Sequence, residues 1–468
     1  MNWREEMIQK GRLRNSFIDR LVGWKGVQTD IDPVLLPDGF LADATNITIT
    51  NQATLSSIPE PLLVGTFSAP IITVFTWKRD VAGSNLVMIQ AGNKLYKYDG
   101  NTISLVYTFS TPEKLAFSGG FFDTLYIMHH TDGLFTYNGT TMVPMQEAPR
   151  SKYLLLWQTY LFASGDLYEN KKTTPVDYTY APQRVRWSGI VDNAFNSWYV
   201  ADTSGTETVN NFIDMRSEDS SNITGMAIWN RRIIIFQESR IQEIVGQSPS
   251  NFITNTIYVG KLTTIDNQVD YYDYVYYLSP EGLCILASQD VLISKALKKY
   301  WHPATYYNVA VYDAKVYYNN GDDIGVYNTQ TKTFEHYSYP NTSCLYSDKN
   351  NLWLGTSDGK LYKWGQGSGA LEWTLTTKTI HYGDIEAYKR PILLRILHKQ
   401  TQATINVKLI LDGTTYNVGT LDMSKGQSDE FILSYPLFEQ AQIQLSGNQP
   451  VEIIGMELLS KMRGVGYV

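Results

Sequence analysis

Residues Ser220 to Gly246 read SSNITGMAIWNRRIIIFQESRIQEIVG. Ile223–Trp229 and Ile233–Phe236 are β-branched and aromatic runs, separated by the turn-prone Asn230-Arg231-Arg232. A third short run, Ile241–Val245, follows Glu238-Ser239-Arg240. Three such runs in succession predict a meander of antiparallel strands, the unit of a β-propeller blade.

Outward from this stretch the chain repeats. Asn93-Lys-Leu-Tyr-Lys-Tyr98-Asp-Gly returns as Asp132-Gly-Leu-Phe-Thr-Tyr137-Asn-Gly, and related forms end at Tyr327 and Trp364. Tyr98 and Tyr137, like Tyr327 and Trp364, stand roughly 40 residues apart, a blade period. Each copy reads as a strand ending in an aromatic residue, followed by a Gly, Asn or Asp turn. Units at 68–110, 112–147, 151–218, 220–258, 260–303, 305–340 and 341–379 give seven blades. Six is the alternative count, because the N-terminal strands can complete a blade. The third unit is swollen by a polar insertion around 168–219, where contacts to neighbours are usually placed.

The repeats are flanked on both sides. Residues 1–25 read as a short, locally basic helical arm, with Trp3, Met7, Leu13, Phe17 and Leu21 on one broad apolar face suited to docking on a partner. Residues 26–67 are short lead-in strands among Pro and Gly turns. After Lys378 the blade signature stops, and residues 380–468 alternate as strands punctuated by Gly383, Gly413, Gly426 and Gly447, which predicts a separate β-sandwich. The fold class expected is therefore all-β: a β-propeller with an N-terminal helical arm and a C-terminal β-sandwich.

Composition narrows the function. Cys284 and Cys344 give neither a disulfide framework nor a CxxC metal pair, as expected of a protein assembled in a reducing cytosol. The first residues, MNWREEMIQKGRLRN, have no apolar signal core, and no run approaches the ~18 apolar residues of a membrane span. The expectation is a soluble chain with no direct membrane insertion. A net charge of −7 argues against a general DNA-gripping surface. It is compatible with DNA passing nearby.

Catalytic, cofactor and metal sites are not expected. His129 and His130 are adjacent in sequence and so point to opposite faces of a strand, a poor arrangement for a shared metal. Gly365-Gln-Gly-Ser-Gly369 follows a blade turn instead of opening a helix, so it makes no phosphate cradle. Acidic residues such as Asp266, Asp270 and Asp273 are expected at turns. The run Tyr271-Tyr272-Asp-Tyr274-Val-Tyr276-Tyr277 reads as a strand packed against blades on both sides. Its alternative is a platform for stacking sugars or bases.

Several pieces recur in a telling order. Arg184-Val-Arg-Trp-Ser-Gly-Ile190, with Asp192 and Trp198 soon after, is followed by Ile223-x-Gly-Met226, Phe236-x-Glu-Ser239, Ile241-x-Glu-Ile244 and YYLSPEGL at 276–283. Leu36-Pro-Asp-Gly39 and Ala44-Thr-Asn46 stand ahead of them. Over about Gly26 to Leu286 this order resembles the packaged-DNA stabilisation or tail-nozzle (tail-hub) proteins of tailed bacteriophages. Ser57-Ile58-Pro59 departs from it, since the family often has a basic residue and a glycine there. The resemblance implies a non-enzymatic virion protein of the tail, assembled in the host cytoplasm. It further implies a homohexameric ring that closes the portal-adaptor channel, retains packaged DNA and forms its exit conduit. Portal-adaptor or tail-tube proteins, and other tail proteins or fibres, would be its partners, and double-stranded DNA would pass without tight binding. Asp214, Glu218 and Asp219 are then candidates to line the channel. The alternative function is a glycan- or receptor-binding propeller of a tail-associated protein.

Overall fold

Asn230 and Arg231 both adopt left-handed backbone (φ 49° and 61°), so the strand Ile223–Trp229 reverses into Arg232–Gln237 through a two-residue turn. Such turns match the twist of the strands they join. Arg240–Val245 and Ile253–Val259 complete a four-stranded antiparallel sheet. The computed structural model describes residues 16–79, 83–120, 123–145, 147–170, 178–191, 198, 211–215, 220–260, 263–286, 290–302, 306–382 and 388–462.

Seven such four-stranded sheets follow one another among the described residues. In chain order their first strands are Ile71–Trp77, Ala116–Gly119, Tyr153–Trp157, Ile223–Trp229, Val269–Tyr271, Tyr307–Tyr312 and Thr342–Ser347, and the sheets are numbered 1 to 7 accordingly. The seventh borrows its last strand from far upstream: Leu62–Thr66 pairs antiparallel with Lys360–Lys363. Sheet 7 also packs its first strand against those of sheets 6 and 1. The architecture is all-β and propeller-like.

Apolar cores fill the spaces between successive sheets. Trp77, Met88 and Leu95 of sheet 1 meet Leu125, Ile127 and Phe135 of sheet 2. Phe236 and Ile241 of sheet 4 meet Tyr277 and Cys284 of sheet 5. Sheet 5 turns its other face, Tyr276 and Leu278, into the core that holds Val309 and Val316 of sheet 6. Alternation along one strand thus buries Tyr276 and Tyr277 on opposite faces. Each fully buried side chain of this size contributes roughly 1.5–3 kcal/mol. That is why the central strands read as unbroken apolar runs.

The flanking segments differ from the sequence reading. Residues 16–21 form a strand, not a helix, paired with the end of Glu452–Met462 so that Leu21 lies opposite Met456. A short apolar run with an available strand edge takes the extended form, because pairing satisfies its backbone. Leu21 is buried and Phe17 is 40% exposed. Trp3, Met7 and Leu13 lie outside the described residues.

Nor is 380–468 self-contained. One six-stranded sheet holds Ile47–Ile49, Leu55–Ser57, Glu452–Met462, Lys389–His398 and Ser428–Ile432, with Ser16–Leu21 also on Glu452–Met462. A second holds Gly26–Val27, Phe40–Thr45, Trp373–Thr377, Ala441–Gly447, Thr404–Leu411 and Thr414–Asp422. They share a core in which Leu375, Val407 and Leu445 face Leu394, Ile396 and Leu458. Trp373–Thr377, read as the end of the repeats, therefore belongs here, and Leu62–Thr66, read as lead-in, belongs to sheet 7. The pairings of Phe40–Thr45 with Trp373–Thr377 and of Leu62–Thr66 with Lys360–Lys363 each span hundreds of residues, so no local pattern marks them.

Candidate functional site

Four antiparallel strands return the chain to the end where the sheet began, so the first strands of successive sheets run in the same sense. Residues on or beside the first strands of sheets 1 to 5 and 7 line a cavity of about 720 Å³. Where these strands begin, its wall is charged. Lys114 lies 3.8 Å from Asp266, and Lys152 is held by Asp166 at 2.6 Å, which raises the lysine's pKa. Glu113 accepts from the Thr131 amide and hydroxyl, and His130 approaches it at 3.7 Å.

Towards the strand ends the wall becomes aromatic. Phe75 and Phe117 stack with centroids 5.3 Å apart, and Tyr346 lies 6.2 Å from Phe75. Tyr346 is itself fixed by the Thr76 amide, which donates to its hydroxyl. Asp270 also lines this region. Burial pushes its carboxyl up to about 6, against the lowering effect of the Val311 and Tyr271 amides that donate to it. Tyr271 ends the inner strand of sheet 5 and lines the cavity. Tyr272 and Tyr274, expected within a strand, stand instead in the turn that follows. Tyr271, Tyr272 and Tyr274 are 53%, 56% and 39% exposed.

The remaining sequence candidates are scattered. Asp214 sits on the outermost strand of sheet 3, paired with Arg184 at 2.7 Å. Glu218 and Asp219 lie outside the described residues. His129 is buried, stacks on Phe109, and accepts from the Asp132 amide through Nδ1. His130 reaches the Asp166 carbonyl, yet both histidines approach the one Glu113 carboxylate, His129 at 3.9 Å and His130 at 3.7 Å. Among the described residues no three or more His, Cys, Asp or Glu side chains gather as a metal site.

The family-like pieces are spent on internal stapling. Arg184 and the buried Arg186 both grip Glu169, at 2.9 and 2.7 Å. Glu169 lies on Tyr168–Asn170, which pairs with Tyr178–Tyr180 as a hairpin inserted in sheet 3. Gln237 donates to the carbonyls of Met215 and Ser221, joining sheet 4 to the chain leaving sheet 3. Sequence reasoning passed over Phe75, Phe117 and Tyr346. The one signal available was their common place on the first strand of a repeat.

No family model matches the chain, and no curated protein matches it. Among solved structures it is similar to the computationally designed Ika8 protein, at 12% identity and TM-score 0.39 over 66% of this chain and 99% of that one. It is similar to BamB from Moraxella catarrhalis at 12% identity and TM-score 0.38, over 65% and 99%. PorZ, a surface component of the type-IX secretion system of Porphyromonas gingivalis, matches at 8% identity and TM-score 0.40 over 82% of this chain. The match spans about half, 48%, of PorZ. No helix among the described residues is long and apolar enough to cross a membrane.

Proposed function

We propose that this chain is a structural protein of a bacteriophage tail, a nozzle or hub subunit built as a seven-bladed propeller carrying a β-sandwich. Six copies form a ring that closes the portal-adaptor channel, retains packaged DNA and becomes its exit conduit. The chain is not an enzyme in this reading. The carrying observation is the use made of the family-like pieces. Arg184, Arg186 and Ser279 all hydrogen-bond inside the fold, so they brace sheets 3 and 5 and present no reacting group. The net charge of −7 suits a wall that DNA slides past, because a grip on phosphates needs clustered cations.

Negative-stain images of the purified protein test this directly. Sixfold rings with an axial channel are expected, together with no duplex shift in gels at ~0.1 M salt, where screening acts over about 10 Å. A monomer that hydrolyses polysaccharide, or a ring binding duplex below micromolar concentration, would overturn the reading.

A further inference from the structure

We propose that the aromatic end of the central cavity binds a small organic ammonium ion, with Asp270 as its counter-ion and Phe75, Phe117 and Tyr346 as the rings beside it. The proposal goes beyond the nozzle reading and does not depend on it. All four residues line the one cavity. Contacts link them across the ring of sheets. Phe117 of sheet 2 stacks on Phe75 of sheet 1, and Tyr346 of sheet 7 lies 6.2 Å from Phe75. Tyr346 keeps its proton chiefly through burial, and the nearby charges of Asp348 and Asp270 add to that. Asp270 of sheet 5 reaches across to accept the Val311 amide of sheet 6 at 2.7 Å. The three rings are half-buried, so part of each stays open to the cavity.

What this end lacks is a cation. Each Asp270 oxygen accepts one backbone amide and keeps a lone pair. Among the described residues no lysine, arginine or histidine pairs with it, and Lys349 acts on it only through its longer-range charge. Burial raises the carboxyl to about 6 in spite of that lysine, the mark of a charge left undercompensated. The two lysines on the wall are already engaged, Lys114 near Asp266 at 3.8 Å and Lys152 with Asp166 at 2.6 Å. Glu113, Asp266 and Asp270 outnumber them among the lining residues, which disfavours an anion. A carboxylate beside aromatic rings attracts an ammonium twice, by its own charge and by the negative faces of the rings. About 720 Å³ is room enough for such an ion. An uncharged ligand of the same shape would gain from the rings alone.

Calorimetric titration of the full chain at low salt, with choline and with putrescine, tests this. Saturable binding of at least one is expected. Dimethylbutanol, the uncharged analogue of choline, should bind at least about tenfold more weakly. Asp270→Asn, which removes the charge, should weaken binding by at least about the same factor. Phe117→Leu should also weaken it, and it leaves the Asp270 hydrogen bonds in place, so it decides the matter if Asp270→Asn melts early. No saturable binding of either ion overturns the proposal, as does equal binding of the uncharged analogue. An affinity unmoved by either variant that still melts like the wild type would overturn it too.

Discussion

Lys315 donates to both carboxylate oxygens of Glu335, at 2.9 and 3.1 Å, in the seam where sheet 6 meets the strand Ile47–Ile49. Glu335 is 1% exposed and also accepts from the Thr48 hydroxyl and the Ile49 amide. The carboxylate is thereby the polar rivet between the propeller-like part and the strands beside it. Glu335→Ala would strand the lysine and three further donors, the Thr48 and Tyr337 hydroxyls and the Ile49 amide, and should cost about 3–5 kcal/mol. Glu335→Ala combined with Lys315→Met should cost less than the two single changes added together. Chemical denaturation of the four proteins measures the coupling. Strict additivity would show that the pair does not act as a unit.

Gly359 closes the ring. It turns the chain into Lys360–Lys363 with φ +83°, and a Cβ there would sit 2.3 Å from the Phe67 carbonyl oxygen. That carbonyl belongs to the residue just after the borrowed strand, whose own amide donates to Gly359. Gly359→Ala should therefore destabilise by about 1–3 kcal/mol and lower the melting temperature. Gly413→Ala, at a positive φ with no atoms near its Cβ, should cost less. Equal losses at the two sites would mean that only local strain is being measured.

Much of the repeat was legible because each sheet is built from neighbouring strands. The units 112–147, 220–258 and 305–340 each enclose the strands of one sheet almost to the residue, since tight turns such as Asn230-Arg231 are written locally. What was not legible is pairing across the chain. Phe17 and Leu21 share a face in a helix, but whether they form one depends on a strand edge offered by Glu452–Met462. The cavity was half legible. The tyrosine run was visible, but the Phe75, Phe117 and Tyr346 cluster draws on three sheets that only the closed ring brings together.

Asp270 makes stability depend on pH. Its carboxyl titrates near 6 in the folded chain, above its ordinary value of 3.8, because burial disfavours the charge. The folded state therefore holds this proton more tightly than the unfolded state between about pH 4 and 6. Stability from this group is greatest below that window and falls as pH rises through it. Relative to Asp270→Asn, the wild type should lose up to about 3 kcal/mol between pH 4 and 7, less whatever cavity water screens. Paired melting curves at several pH values give the difference. A constant offset would show that the carboxyl titrates normally.

Residues 380–468 should not fold alone. Their two sheets lack Trp373–Thr377, which lies between Phe40–Thr45 and Ala441–Gly447, and they lack Leu55–Ser57 on the edge of Glu452–Met462. The isolated segment exposes unpaired edges and should be insoluble or should melt without a transition. Circular dichroism of the fragment decides this, and a cooperative transition would show that the borrowed strands are dispensable.

The borrowed strands also order events during biosynthesis. Leu62–Thr66 leaves the ribosome early but has no partner until Lys360–Lys363 is made, and Phe40–Thr45 waits for Trp373–Thr377. Ser16–Leu21 waits longer, for Glu452–Met462 near the other terminus. Nascent chains therefore carry unsatisfied β edges through most of translation, and loop closures of this span make folding slow. The mature shape is reached only after the last of these partner strands, Glu452–Met462, emerges.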